Sequence, residues 1–259
     1  MTPATRLRKV PEITAYFWIV KVLTTAQGEA TSDYLVHQID PFVAVALGAA
    51  GFAVAMALQL RVRRYVAWVY WLAVLMVAVF GTMVADATHI ELRVPYVASS
   101  LVFAVILVAV FVAWYRTEGT LSIHSIVTLR RELFYWATVC VTFALGTAVG
   151  DMTASTFHLG YLTSGVLFAV VIAIPALAHR FSGLNAVVAF WFAYIVTRPL
   201  GASFADWMGV PHALGGLNWG RGTVSVSLFI VIAGFVAYLA FSRVDVRERT
   251  APEPLAEPA

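Results

Sequence analysis

GTAVGD, residues 146–151, has three counterparts in the chain: GEATSD at 28–33, GTMVAD at 81–86 and GASFAD at 201–206. Four of the six aspartates therefore stand five residues after a glycine. With 17 glycines in 259 residues, chance supplies about 0.4 such cases, so the pattern reads as an internal repeat. Asp33 and Asp151 are 118 residues apart, and Asp86 and Asp206 are 120. Upstream, Glu12 in KVPEITAYFW echoes Glu132 in LRRELFYW.

Working outward, each motif closes an apolar run of roughly 20 residues, long enough to cross the ~30 Å hydrocarbon layer as a helix. Eight such runs are expected, at 13–37, 42–60, 65–88, 94–115, 132–156, 161–179, 184–206 and 222–242. The first contains Lys21 and Glu29 and the seventh Arg198 and Pro199, so both are weak on hydropathy and strong on length. Composition agrees. The chain is 61% hydrophobic and 12% charged, with a mean hydropathy of +0.84, whereas a soluble domain carries about 25% charged residues. The fold class expected is all-α and polytopic, with eight transmembrane helices.

The basic residues give the orientation. Thirteen of the 17 Lys and Arg fall at the N-terminus, in the even-to-odd connections and at the C-terminus; only Arg93 and Arg221 fall in the opposite connections. Basic residues remain on the cytoplasmic side, so both termini are expected inside a bacterial inner membrane. The pI near 9.1 follows from this bias and does not call for nucleic acid. No removable signal peptide is read, and the single Cys140 excludes an intrachain disulfide. Each odd run ends in a motif, so the repeat unit is a two-helix hairpin and all four copies run parallel. Two four-helix halves follow, 1–120 and 121–243, with 244–259 expected to be a disordered cytoplasmic tail because it is charged and proline-rich.

Four parallel hairpins bring Asp33, Asp86, Asp151 and Asp206 to one membrane depth. Acidic residues there are costly and usually face a pathway. Glu29 stands four before Asp33, on the same helix face. His37, His89 and His158 follow their aspartates by four, three and seven residues, spacings that keep the rings near the carboxylates. Oxygen ligands with some imidazole suit Mg²⁺, Mn²⁺ or a similar cation. The bland alternative is that the aspartates are solvated caps and the glycines only let helices approach closely. Lys21 either snorkels to the interface or takes part in gating; Arg198 either holds an ion pair or counters the acidic set and yields to a cation. Glu12 and Glu132 are helix-start residues or an inner cation site. The connection DWMGVPHALGGLNWGRGT, with His212, is an interfacial anchor or a lid over the mouth of the bundle. Phosphate-binding loops and hydrolase motifs are absent from the sequence, so direct ATP-driven pumping and enzyme activity are not expected.

The stretches KVPEITAYFWIVKVL…GEATSD, FALGTAVGD and TRPLGASFADWMG resemble a family of bacterial inner-membrane proteins described as uncharacterised membrane-anchored proteins. The resemblance covers most of 9–242 and implies a bacterial, multi-spanning, repeat-containing protein.

The function expected is transport of a cation, a divalent metal first, through Asp33, Asp86, Asp151, Asp206 and Glu29. Crowded carboxylates resist full ionisation together, which would couple release to a proton gradient. Two rivals stand beside it: a proton-coupled carrier of a small organic solute, with Arg198 or Lys21 holding an anionic group, and a non-transporting scaffold. No cofactor is expected beyond the cation as substrate. The expected partners are the lipid bilayer and a metal cation or proton; a homo-oligomer is compatible with the bundle.

Overall fold

The computed structural model describes residues 8–246. Eight long helices make up the described chain, and no strand occurs among the described residues. They are α1 (Ala15–Gln38), α2 (Pro41–Arg61), α3 (Ala67–Ile90), α4 (Tyr96–Glu118), α5 (Leu129–Asp151), α6 (Gly160–Ser182), α7 (Ala186–Gly209) and α8 (Arg221–Ser242). Their boundaries lie within a few residues of the expected spans. Local signals set several ends. Thr14, Asp40, Thr128 and Asn185 cap α1, α2, α5 and α7 by accepting backbone N–H groups of the first turn. Gly119 and Gly183 end α4 and α6 in the left-handed conformation.

The helices form two concentric rings. The odd helices make a closed inner square in which α1 packs on α3, α3 on α5, α5 on α7 and α7 on α1. The even helices lie outside, with α2 mainly on α3, α4 on α5, α6 on α7 and α8 on α1. In the most apolar stretches of α3, α5 and α7, 61–72% of residues are buried, against 17–22% in the even helices. The bare apolar surface of the outer ring is what a bilayer would cover. Seven helices are long and apolar enough to span. The other, α1, falls short because its buried face carries Lys21, Thr24, Thr25, Gln27, Glu29 and Ser32.

The glycine of each motif explains how the square closes. A Cβ on Gly28 would strike Ala78, on Gly81 Phe143, on Gly146 Arg198, and on Gly201 Thr25. Each of these neighbours stands eight residues before the aspartate of the next inner helix. One contact is thus repeated four times around the ring, as expected for a parallel four-fold repeat. Further layers follow at four-residue steps, ~6 Å apart along a helix, and every member is buried. Glu29, Thr82, Thr147 and Ala202 form the first layer below the aspartates, then Thr25, Ala78, Phe143 and Arg198. Lys21, Val74, Val139 and Tyr194 come next, and Phe17, Tyr70, Tyr135 and Phe190 after them. Trp18, Trp71, Trp136 and Trp191 adjoin this last layer. An aromatic–Trp pair therefore precedes every motif glycine by eleven and ten residues, a repeat signal the sequence reading had left unused. The aromatic layer belongs to one large core that fills the bundle at the end away from the aspartates.

That end is held by polar contacts as well. Lys9 Nζ lies 2.5 Å from a carboxylate oxygen of Glu132, whose other oxygen accepts from Gln59 at 3.0 Å. Glu12 pairs with Arg8 and, at 3.5 Å, with His124. Both glutamates are thus engaged by the chain's own cations, which corrects the reading of an inner cation site. Residues 244–246 of the expected tail are described. Asp245 is buried, accepts from Tyr65 through its side chain and from the Glu12 N–H through its carbonyl, so the chain keeps a fixed course there. The rest of the tail, with Arg247 and Arg249, lies outside the described residues, as does Arg6.

Candidate functional site

At the other end of the bundle a cavity of about 770 Å³ opens among the inner helices and toward α2, and Glu29, Asp33, Asp86, Glu91, Asp151 and Asp206 all line it. The four repeat-related aspartates thus face one space rather than separate points on the perimeter. Carboxylate oxygens of Glu29, Asp33 and Asp206 lie within 4.8 Å of one another. Asp86 and Asp151 line the same walls but fall outside that trio. The upper walls are largely apolar, including Val45, Phe80, Met83 and Leu92.

Two arginines answer the six carboxylates. Arg198, fully buried at mid-height of α7, reaches all three other inner helices. Its Nη2 lies within hydrogen-bond distance of three acceptors that share its two N–H groups, Glu29 at 2.5 Å, Thr147 at 2.6 Å and the Thr82 hydroxyl, while Nη1 reaches the Thr25 carbonyl at 3.4 Å. The guanidinium therefore occupies the layer just beneath the aspartates and seals the cavity from the aromatic core. Pro199 removes one helical N–H beside it, and Thr25 donates to the nearby Thr197 carbonyl at 3.0 Å. Arg221, at the start of α8, donates to Asp33 at 2.8 Å. Asp86, Asp151 and Asp206 have no ion-pair partner among the described residues. With all six carboxylates ionised, the site carries four negative charges in excess of its arginines, which favours a cation.

The remaining expected residues separate. Lys21 does not snorkel: it is buried, with its ammonium over the rings of Phe143 and Tyr194. His37 lines the cavity, its Nδ1 2.6 Å from the Asp33 carbonyl oxygen. His89 and His158 are not among its lining residues. His89 stacks on Tyr96, and its Nδ1 contacts the Val94 carbonyl, pinning the α3–α4 connection. His158 misses because α5 gives way to a π-helical turn at Met152–Thr156, so the helical register from Asp151 is lost. In the α7–α8 connection, the N–H groups of Leu217, Asn218 and Trp219 return to carbonyls of Trp207, Val210 and Met208. The loop folds back on the end of α7, and Trp219 stays exposed.

Five polar lining residues were not among the expected site residues: Thr88, Glu91, Tyr96, Tyr161 and Arg221. The two tyrosines had a usable signal, since each stands ten residues after its own aspartate, Asp86 or Asp151. Arg221 had one as well, as one of only two basic residues in the connections at this end.

Neither a curated protein nor a solved structure matches the chain. One family does, four times over, at residues 16–65, 69–120, 134–184 and 189–245. Each match takes in one inner helix, its motif and the outer helix that follows. The chain therefore belongs to the family described as Repeat of Unknown Function (DUF347).

Proposed function

We propose that this protein is an integral membrane transporter of cations, a divalent metal of the Mn²⁺ or Mg²⁺ type first. The observation that carries the reading is a single cavity walled by four repeat-related aspartates, Glu29 and Glu91 against two arginines. Glu29, Asp33 and Asp206 are the nearest to a ligand set, being close enough to converge on one ion. Asp86 and Asp151 add charge across the cavity. Arg198 is the tethered cation of the empty site, released from Glu29 when a mobile cation takes its place. The crowding of carboxylates also supports exchange with protons.

In this reading α1 is the eighth span. Its 24 residues exceed the ~20 needed, and its charges are turned inward. Both termini are cytoplasmic in a bacterial inner membrane, and the cavity opens outward. Single cysteines, introduced after Cys140→Ala, test this: positions 63, 130 and 180 should label only from inside, and 91, 158 and 212 from outside. Labelling of position 63 in intact cells would overturn the topology.

The site is tested by charge. Asp33→Asn, Asp86→Asn, Asp151→Asn and Asp206→Asn keep shape but remove the charge on which a hard cation depends. Mn²⁺ binding should weaken at least tenfold, most at Asp206, which belongs to the trio and has no arginine partner. Melting temperature should stay near that of Ser182→Ala, a change at the exposed end of α6. Near-normal Mn²⁺ binding in all four would sink the metal site and favour a scaffold, because Asn caps helices as well as Asp does.

The cavity volume supports a second reading, carriage of a small organic solute, since about 770 Å³ is within the range of small-molecule pockets, ~300–1,000 Å³. The acidic walls then require a cationic solute. An anionic group on Arg198 or Lys21 is disfavoured, because both are sealed beneath the cavity floor.

A further inference from the structure

Lys21 lies on α1 three layers below Asp33, level with Val74, Val139 and Tyr194. Its Nζ is buried and has no hydrogen-bond acceptor among the described residues. It sits over the rings of Phe143 and Tyr194, 4.2 Å from each centroid. Arg198, one layer nearer the cavity, shares the Phe143 ring at 5.6 Å. The other ionisable groups brought by the surrounding helices are Tyr194 of α7, Tyr70 of α3, and Tyr135 and Cys140 of α5. Glu29 lies two turns above on α1 itself, while Tyr16 lies below and contacts Tyr238 of α8. The rest of α2 and α8 contributes only Arg61 and Arg221, at helix ends.

A charged group at membrane depth normally keeps a partner. Glu29 and Arg198 have each other; Lys21 has only aromatic faces, which attract an ammonium without bonding it. Lys21 can therefore gain or lose charge without breaking an ion pair or a hydrogen bond, as neither Arg198 nor Glu29 can. The groups beneath it continue toward the far end of the bundle. The Tyr194 hydroxyl is buried and unpartnered, Tyr135 and Tyr70 share a hydroxyl hydrogen bond, and Tyr65, edge-on to Tyr70 at 5.7 Å, donates to Asp245.

We propose that Lys21 is the proton-binding residue of this protein and couples cation transport to the opposite movement of a proton. The inference rests on the cation reading above and names its coupling ion. A cation entering the cavity joins Arg198 as positive charge above Lys21, so the proton leaves. The Nζ–H bond breaks with its electron pair staying on nitrogen, and the proton passes to water on the cavity side, past Arg198 as it releases Glu29. When the cation departs toward the Asp245 end, the lysine takes a proton from water at that end, so one proton moves outward for each cation moved inward.

The test uses the full chain in lipid vesicles with a trapped pH dye and Mn²⁺ as the probe, comparing wild type, Lys21→Met and Lys21→Arg. Wild type should show a lumenal pH change that follows Mn²⁺ addition. Lys21→Met, which keeps the volume, should bind Mn²⁺ in detergent within about threefold of wild type, melt no lower, and lose at least 90% of the Mn²⁺-driven pH change. Lys21→Arg, whose charge is permanent, should lose the same signal. A wild-type pH response in Lys21→Met overturns the proposal. So does Mn²⁺ binding and movement by wild type without any pH change, which leaves the cation reading standing. Absence of Mn²⁺ binding by wild type overturns the metal reading and the coupling with it.

Discussion

Arg198→Met should be the most damaging single substitution in the bundle, lowering stability by about 3–5 kcal/mol. The guanidinium is fully buried and holds Glu29, Thr82 and Thr147 at once. Removing it leaves Glu29, 3% exposed, as a buried carboxylate without a counter-charge, retaining only a weak 3.5 Å approach from the Thr82 hydroxyl. Breaking a buried pair costs far more than replacing both members, because the surviving charge stays desolvated. Arg198→Met combined with Glu29→Gln should therefore recover much of the loss, even though it removes two native groups. Thermal unfolding of the purified protein in detergent, for both singles and the double, measures this. Additive losses in the double variant would show that the pair is not the unit holding this layer.

Gly28→Ala should rank next, at about 1–3 kcal/mol from overpacking. The added methyl would stand 2.8 Å from the carbonyl carbon and 3.0 Å from the Cα of Ala78. Those are backbone atoms and cannot swing aside, so α1 and α3 must separate, and with them the closed square. Gly234→Ala in the outer helix α8 is the contrast, since a Cβ there meets nothing within 4 Å. On helix propensity alone it should stabilise by up to about 1 kcal/mol. Opposite shifts in melting temperature are the expected result. Equal shifts would mean that the motif glycines are not there for close approach.

The close approach also explains the length of the motif. Glycine meets the neighbouring helix at one level, and the aspartate five residues later stands beyond that contact, where the helices leave room for the cavity. The first task fixes the spacing of the ring and the second supplies its charge, so the bland reading of the glycine and the functional reading of the aspartate are both satisfied by one hexapeptide.

Much of this architecture is legible in the sequence. Helix lengths follow from runs of apolar residues, because backbone groups in a bilayer must be satisfied within each span. The repeat is visible because equivalent positions in a ring meet equivalent neighbours, which constrains the residue at every fourth step. For the same reason the convergence of Asp33, Asp86, Asp151 and Asp206 could be expected before any coordinates. What differs between repeats was not legible. The charges on the axis break the symmetry: Lys21 and Glu29 come from the first unit and Arg198 from the fourth. Which of them pair depends on side chains crossing between helices far apart in sequence. Only the tertiary structure shows Arg198 spanning the axis to Glu29 while Lys21 is left over two aromatic rings. The places of His158 and the α7–α8 connection were not legible for a related reason. Helical spacing predicts a face only while the helix lasts, and beyond Asp151 and Gly209 a π turn and a folded-back loop decide where the side chains go.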